Sequence, residues 1–147
     1  MPTPLSPTET YFVTSATFQR KSLFHVEAKA QLFMETLQDY RTQGKYKLHA
    51  FVVMPDHFHL LVTPLGITIE RAVGLIKGGF SHRVGSKFPV WQKGFHERRM
   101  RDAEEFIARR EYIHQNPVRA HLAASAEDYP FSSAFLTRPA AAEAVEL

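Results

Sequence analysis

Residues 46–63 read YKLHAFVVMPDHFHLLVT and form the clearest hairpin pattern in the chain. Tyr46 to Met54 is rich in aromatic and β-branched side chains, a composition that is typical of a strand. Pro55 and Asp56 supply a turn, and His57 to Thr63 resumes the strand pattern. We therefore predict two adjacent strands that pair as an antiparallel hairpin.

The segments on either side of this hairpin alternate between strand and helix patterns. A strand is predicted over Tyr11 to Phe18, and a helix over Ala28 to Gln43. After the hairpin, a second helix is predicted over Thr68 to Val84, with Thr68 as its N-cap. The pair Gly78-Gly79 is expected to weaken or kink that helix, because glycine is a poor helix former.

Two further elements complete the predicted fold. Val90 to Arg99 is expected to hold a short fourth strand with a glycine interruption. Asp102 to Asn116 is predicted as a third helix, with Asp102 and Glu105 in a capping-box arrangement and Pro117 as its end. The order β-α-β-β-α-β-α predicts an α+β fold in which helices pack on one face of a largely antiparallel sheet.

The length of 147 residues fits one domain. We expect a flexible tail over residues 1–10, a single domain over residues 11–135 and a second tail over residues 136–147. The absence of cysteine excludes a disulfide framework, a cysteine zinc site and a cysteine nucleophile. Because there is no signal peptide and no apolar run near the ~20 residues of a membrane span, a cytoplasmic protein without a membrane partner is expected.

The charge is concentrated in one segment of the chain. Residues 71–119 carry eleven Lys and Arg against five Asp and Glu, whereas the rest of the chain has a net charge of −3. Such a segment suits a nucleic-acid backbone, although a solvated helical face explains the charges about as well. The candidates for phosphate contacts are Lys77, Arg83, Lys87, Lys93, Arg98, Arg99 and Arg101.

Two pairs of side chains have a spacing that suits chemistry. His57 and His59 point to the same face of a strand, so both imidazoles are placed to bind one metal ion. Tyr112 and Asn116 are four residues apart and share one face of the third helix. Each pair in isolation is more often incidental: a His-x-His pair is common, and so is a tyrosine at the edge of a core.

Four separated motifs together resemble the IS200-like tyrosine transposases of the HUH endonuclease superfamily, and most closely their REP-associated branch. The motifs are MPDHFHLLV (54–62), WQKGFH (91–96), YIHQNPVRA (112–120) and DYPFSSA (128–134). They occur in the order of the family, and the resemblance covers about residues 10 to 135. It implies a ferredoxin-like sheet with helices packed on it, which is the HUH arrangement.

The resemblance also implies roles for particular residues. His57 and His59 match the metal-binding pair, Tyr112 matches the nucleophile, and Asn116 matches the polar residue that completes the metal site. His121 is a departure, because the family more often has glycine there. The expected cofactor is Mg or Mn, although two imidazoles by themselves suit Mn or Zn better than Mg.

The function that follows is a metal-dependent single-stranded DNA endonuclease and strand transferase. It would act on hairpin-bearing DNA through a 5′-phosphotyrosine, either as a monomer or as a homodimer in which the partner supplies the tyrosine helix. The group that takes the tyrosine proton stays open among His114, Glu111 and a metal-bound water. Two alternatives are a non-catalytic nucleic-acid-binding relative and a metal-dependent hydrolase of small phosphate esters.

Overall fold

The strands and helices follow the predicted order in the computed structural model, which describes residues 9–139. The strands are β1 (Tyr11–Ala16), β2 (Tyr46–Met54), β3 (His57–Pro64) and β4 (His96–Arg99). The helices are α1 (Glu27–Thr42), α2 (Ile69–Val84), α3 (Ala103–Arg119) and the short α4 (Ser133–Leu136). Most of the two predicted tails lies outside the described residues, so those tails stay predictions.

The four strands form one antiparallel sheet in the order β2-β3-β1-β4. The hairpin of β2 and β3 is therefore at one side of the sheet, and β1 lies between β3 and β4. This order confirms the α+β prediction and the ferredoxin-like arrangement. None of the helices within residues 9–139 has the length and apolar character needed to cross a lipid bilayer.

The helices cover both faces of the sheet, so the expectation that they pack on one face is wrong. On the first face, which we call the α1–α2 face, Phe58 and Leu60 pack with helices α1 and α2. On the opposite face, the α3 face, Val52 and Leu61 pack with Ile113 of α3. The physical reason is that β2 and β3 are apolar on both sides, so each side needs a cover.

Helix α2 runs without interruption through Gly78-Gly79, which contradicts the expected kink. The second glycine permits a close approach to α1, because a Cβ atom at Gly79 would lie 2.6 Å from the Tyr40 hydroxyl oxygen. At Gly78 a Cβ atom would meet no atom within 4 Å. The packing of α1 against α2 therefore offsets the poor helix propensity of glycine.

The two glycines are expected to respond in opposite ways to alanine. Gly79→Ala should destabilise the protein by about 1–2 kcal/mol, because the cost of overpacking exceeds the gain in helix propensity. Gly78→Ala is the matched control and should stabilise the protein by up to about 1 kcal/mol. Urea denaturation of both variants measures these changes. Equal changes would show that Tyr40 moves aside without cost.

Helix α3 begins as predicted but ends later. The Asp102 side chain accepts a hydrogen bond from the backbone N–H of Glu105 at 2.8 Å, which confirms the N-cap. The helix continues through Pro117 to Arg119, so the predicted end at Asn116 is wrong. Pro117 cannot donate the usual hydrogen bond to the carbonyl of Ile113, and the burial of both side chains offsets that loss. His121 has a φ of +60°, a conformation that favours the glycine of the family.

The fourth strand is shorter than predicted. Only His96–Arg99 pairs with β1, while Trp91 makes a single β-bridge with Thr17. Gly94 lies between these two pairings with a φ of +80°, so the chain turns there instead of extending the strand.

Candidate active site

The two histidines of β3 lie side by side on the α3 face, with their ring centroids 4.9 Å apart. His57 Nδ1 donates to the Asp56 carboxylate at 2.7 Å. Nδ1 of His59 is hydrogen-bonded to the Thr14 hydroxyl at 2.8 Å. Because Nδ1 of each ring has a protein partner, Nε2 is the atom that each ring can offer to a metal ion.

His59 is held in its neutral form. Its side chain is buried, with 6% of the residue exposed, and this burial is the largest of the causes that lower its pKa to about 3. His57 and the guanidinium groups of Arg109, Arg119 and Arg20 contribute to the same lowering. A neutral imidazole is the form that binds metal, and three converging arginines make the same site attractive to a phosphate.

The protein is expected to lose stability as the pH falls below about 6.5, even without metal. An unfolded histidine binds a proton near pH 6.5, whereas folded His59 does so only near pH 3. Between these values the unfolded chain holds the additional proton, so the stabilisation from neutral His59 is complete above about pH 6.5 and is lost toward pH 3.

Urea denaturation in the presence of a chelator, at several pH values between about 4.5 and 7.5, tests this expectation. The free energy of unfolding of the wild type should fall with pH more steeply than that of His59→Gln. Parallel pH dependences in the two proteins would show that His59 is not the group responsible.

Tyr112 of α3 packs against His59 of its own chain. Its ring lies edge-on to His59 with the centroids 5.7 Å apart, and edge-on to Phe12 at 5.9 Å. Tyr112 is 37% exposed, so part of the side chain is accessible to solvent. The apolar contact of Ile113 with the α3 face determines this placement of its neighbour.

Two arginines flank Tyr112, and both were missed as site residues in the sequence. The guanidinium carbon of Arg119 lies 4.4 Å from the centroid of the tyrosine ring, and that of Arg109 lies 5.7 Å away. Arg119 Nη2 also donates to the backbone carbonyl of Tyr112 at 2.8 Å. The signal was available, because residues 109, 112, 116 and 119 share one face of a helix.

His57 and His59 supply two imidazole nitrogens, a donor type that binds divalent metal ions. No group of three or more His, Cys, Asp or Glu able to hold a metal occurs within residues 9–139. A metal at this pair therefore needs a ligand of another kind, and Asn116 lies half-buried on α3, one turn after Tyr112. Two imidazole nitrogens and an amide oxygen form an acceptable set for a first-row divalent ion.

The structure places His114 away from the tyrosine ring. His114 follows Tyr112 by two residues, which is about 200° around a helix. Its Nε2 is hydrogen-bonded to the Ser133 hydroxyl at 2.9 Å, and Ser133 in turn bonds the backbone of Phe51 in β2. His114 thus anchors the C-terminal segment to the sheet. Glu111 is exposed on α3.

Of the seven side chains predicted to bind phosphate, three lie on the α1–α2 face or contact residues there. Lys77 Nζ donates to the carbonyls of Gln92 and Gly94 at 3.3 and 2.7 Å. Arg83 pairs with Asp39 of α1 at 2.7 Å. Arg99 pairs with Glu9 at 2.7 Å, and its position opposite Tyr11 puts it on this face of β4.

The other four candidates differ in what binds them. Arg98 and Arg101 both pair with Glu105, at 2.9 and 3.8 Å, so both guanidinium groups lie near the N-terminus of α3. Lys87 and Lys93 are exposed and make no ion pair or side-chain hydrogen bond with any residue in 9–139. Of the seven, Lys93 is the one that lies in a cleft beside the histidine pair.

This cleft, which we call the edge cleft, lies where β1 ends beside the turn that precedes β4. Its volume is about 500 Å³, and Thr14 is shared between its wall and the hydrogen bond to His59. The lining residues are Thr14, Ser15, Ala16, Arg20, Gln92, Lys93, Gly94, Phe95 and His96. Two of them, Arg20 and Lys93, carry cationic side chains, and Arg20 lies outside the basic segment recognised in the sequence.

The chain matches the family model described as "Transposase IS200 like" over residues 8–116, a range that includes both histidines, Tyr112 and Asn116. It is 28% identical over 126 residues to the REP-associated tyrosine transposase of Escherichia coli (strain K12), across 84% of this chain and 75% of that protein.

Two solved structures share the fold. A REP-associated tyrosine transposase bound to a REP hairpin has a TM-score of 0.77 at 26% identity, over 90% of this chain and 81% of that one. A Deinococcus radiodurans protein described as a candidate transposase has a TM-score of 0.56 at 23% identity, over 77% of this chain and 94% of that one. The second likeness concerns the fold alone.

Proposed function

The chain belongs to the IS200-like transposase family, and from this premise we propose that it cleaves and rejoins single-stranded DNA through a 5′-phosphotyrosine at Tyr112. The observation that carries the proposal is the packing of Tyr112 against His59 of the same chain, with ring centroids 5.7 Å apart. Packing brings the proposed nucleophile to the proposed pair of metal ligands, which are distant from it in the sequence. One chain holds all of these groups, which favours a monomeric active site.

The reaction exchanges one phosphodiester for another. The Tyr112 oxygen attacks the scissile phosphorus, and the bond from phosphorus to the 3′ oxygen breaks. The electron pair stays on the 3′ oxygen, which takes a proton and leaves as a free 3′-hydroxyl. Because the new ester keeps the 5′ phosphate on the enzyme, a 3′-hydroxyl from another end can reverse the step without a nucleotide cofactor.

His57, His59 and Asn116 would hold a divalent ion, Mg or Mn, which when bound would polarise the scissile phosphate and offset charge in the transition state. The Asp56 carboxylate and the Thr14 hydroxyl orient the imidazoles of His57 and His59, respectively, through hydrogen bonds to their Nδ1 atoms. Such partners of ligating histidines typically matter 10–100-fold for affinity.

Arg109 and Arg119 supply positive charge beside the nucleophile. Their guanidinium groups lie near the Tyr112 ring, and Arg109 is also over the ring of Phe12, 4.8 Å from its centroid. An arginine in this position can donate charge-assisted hydrogen bonds to phosphate oxygens. We therefore assign both arginines to the binding of the scissile phosphate, with Arg119 also holding the backbone of Tyr112 in place.

The proposed substrate is single-stranded DNA with a hairpin. The support is the fold shared with a REP-associated tyrosine transposase that is bound to a REP hairpin. Hairpin recognition would rely on shape and on a few unpaired bases, with phosphates held by basic side chains.

End-labelled DNA tests this function. The protein is incubated with Mn²⁺ and a single-stranded oligonucleotide that contains a hairpin, labelled at its 5′ or its 3′ end in separate reactions. The expected covalent adduct carries the 3′ label, while the 5′-labelled fragment is released with a free 3′-hydroxyl. An adduct that carries the 5′ label, or none with either label over a panel of hairpins, would contradict the proposal.

A further inference from the structure

The motif WQKGFH at residues 91–96 has no part in the chemistry described above, yet it builds one wall of the edge cleft. The turn at Gly94 is held in place by hydrogen bonds. Lys77 Nζ donates to the carbonyl of Gly94 at 2.7 Å, and Trp91 Nε1 donates to the carbonyl of Lys77 at 2.9 Å. The Lys77 ammonium group is thus hydrogen-bonded within the protein, whereas Lys93 remains exposed in the cleft.

The opposite wall contains an unusual turn. Gln19 and Arg20 both have a left-handed backbone, with φ values of 55° and 54°, although neither is glycine. Such conformations cost of order 1 kcal/mol each and persist where the surroundings impose them. The buried Thr17 does this here, because its N–H donates to the carbonyl of Asp56 at 3.0 Å and its hydroxyl donates to that of Lys21 at 2.7 Å.

The strained turn holds Arg20 between the cleft and the histidine pair. Its guanidinium lies 3.6 Å from the Asp56 carboxylate, which also accepts the hydrogen bond from His57. The Arg20 side chain is still 57% exposed, so most of its donors can reach a ligand. The cleft therefore adjoins the candidate active site, because two of its lining residues, Thr14 and Arg20, contact His59 and Asp56.

The chemistry of the cleft suits a nucleotide. Arg20 and Lys93 offer cationic donors for a phosphate, and Gln92, His96 and Thr14 offer polar groups for a sugar or a base edge. A volume of about 500 Å³ is within the range of small-ligand pockets. Among residues 9–139, none that lines the cleft has an acidic side chain.

We propose that the edge cleft binds one unpaired nucleotide of the DNA strand next to the scissile phosphate, with Arg20 and Lys93 holding its phosphate. This inference rests on the proposed function, because it assigns part of the same substrate to a second place on the protein. It gives the strained Gln19-Arg20 turn a role, which is to present a guanidinium beside the histidine pair.

Binding measurements with catalytically blocked protein test the inference. Tyr112→Phe protein is titrated, without metal, into fluorescent hairpins that carry a short single-stranded extension at the 5′ or the 3′ side, and into the same hairpin without an extension. Adding Arg20→Ala or Lys93→Ala should weaken binding of one extended hairpin about tenfold and lower its salt dependence by about one phosphate contact. Binding of the hairpin without an extension should be unchanged.

Two comparisons guard against other causes. Arg41→Ala removes an exposed arginine at the end of α1 and should affect all the hairpins equally and slightly. Arg20→Lys should recover most of the affinity, since it keeps the charge. Lys93→Ala should not perturb folding, because it removes an exposed side chain without partners among residues 9–139. The inference is overturned if Arg20→Ala and Lys93→Ala weaken binding of the hairpins with and without extensions alike, or not at all.

The outcome is separable from that of the proposed function. Binding to the extension does not require cleavage, so its loss in Arg20→Ala would support the cleft even if no adduct forms. The converse result is an adduct with the expected label, together with unaltered binding by the Arg20 and Lys93 variants. It would support the proposed function and contradict a role for the edge cleft in DNA binding.

Discussion

Tyr112→Phe is expected to slow DNA strand cleavage at least about a thousandfold and to abolish the covalent adduct. Removing the nucleophile of a covalent mechanism costs rates of this order or more, because what is left is attack by water at a site built for another group. The substitution removes one oxygen and keeps the ring, whose contacts with His59, Phe12 and Arg119 are with its faces and edges. The measurement is single-turnover cleavage of a labelled hairpin oligonucleotide.

The matched control for this experiment is Tyr11→Phe. Tyr11 lies on β1, and its hydroxyl donates to Glu9 at 2.8 Å on the α1–α2 face. Its loss should leave the cleavage rate within about twofold. If Tyr112→Phe cleaves as fast as the wild type, Tyr112 is not the nucleophile. Turnover of a small phosphate ester that is equal in both proteins would favour the metal hydrolase. DNA binding with neither cleavage nor metal binding would favour a non-catalytic relative.

His59→Gln is expected to weaken Mn²⁺ binding by at least about a hundredfold and to reduce cleavage in parallel. Loss of a second-sphere partner already costs 10–100-fold, and here a ligand itself is replaced. Glutamine preserves polarity and approximate volume next to Thr14, which limits the effect on folding. Isothermal titration calorimetry with Mn²⁺ at neutral pH measures the affinity, and at that pH burial keeps His59 neutral because its pKa is about 3.

His82→Gln provides the control, because His82 is exposed on α2. It should bind Mn²⁺ as the wild type does. Tyr112→Phe should also bind Mn²⁺ normally, which would separate the metal ligands from the nucleophile. Unchanged affinity in His59→Gln would mean that the histidine pair is not a metal site, and the role proposed for Asn116 would fall with it.

Local features of the chain could be read without a structure. The alternation of side chains in a strand puts His57 and His59 on one face, and the structure has them there. The caps at Thr68 and Asp102 were likewise predictable, because an N-cap depends on hydrogen bonds that span three residues. Pro117 misled the prediction because the burial that offsets its lost hydrogen bond is a tertiary contact.

The partners of the charged residues could not be read in this way. Arg98 and Arg101 looked available for DNA, yet both pair with Glu105, and Arg99 pairs with a residue ninety positions earlier. Conversely, Arg20 lay outside the basic segment but is held beside the histidine pair by Asp56. Charge counts describe the whole segment, whereas ion pairs depend on which elements pack together.

The sequence by itself determined the strands and helices, their order, the shared face of the two histidines and the shared face of Tyr112 and Asn116. Each of these follows from a period of two or of 3.6 residues, which acts over a few positions. Only the tertiary structure decided that α3 covers the opposite face from α1 and α2, and so that Tyr112 packs against His59. The physical reason is that burial of apolar surface is non-directional. It requires both faces of the sheet to be covered, and only the packed chain settles which helix covers which face.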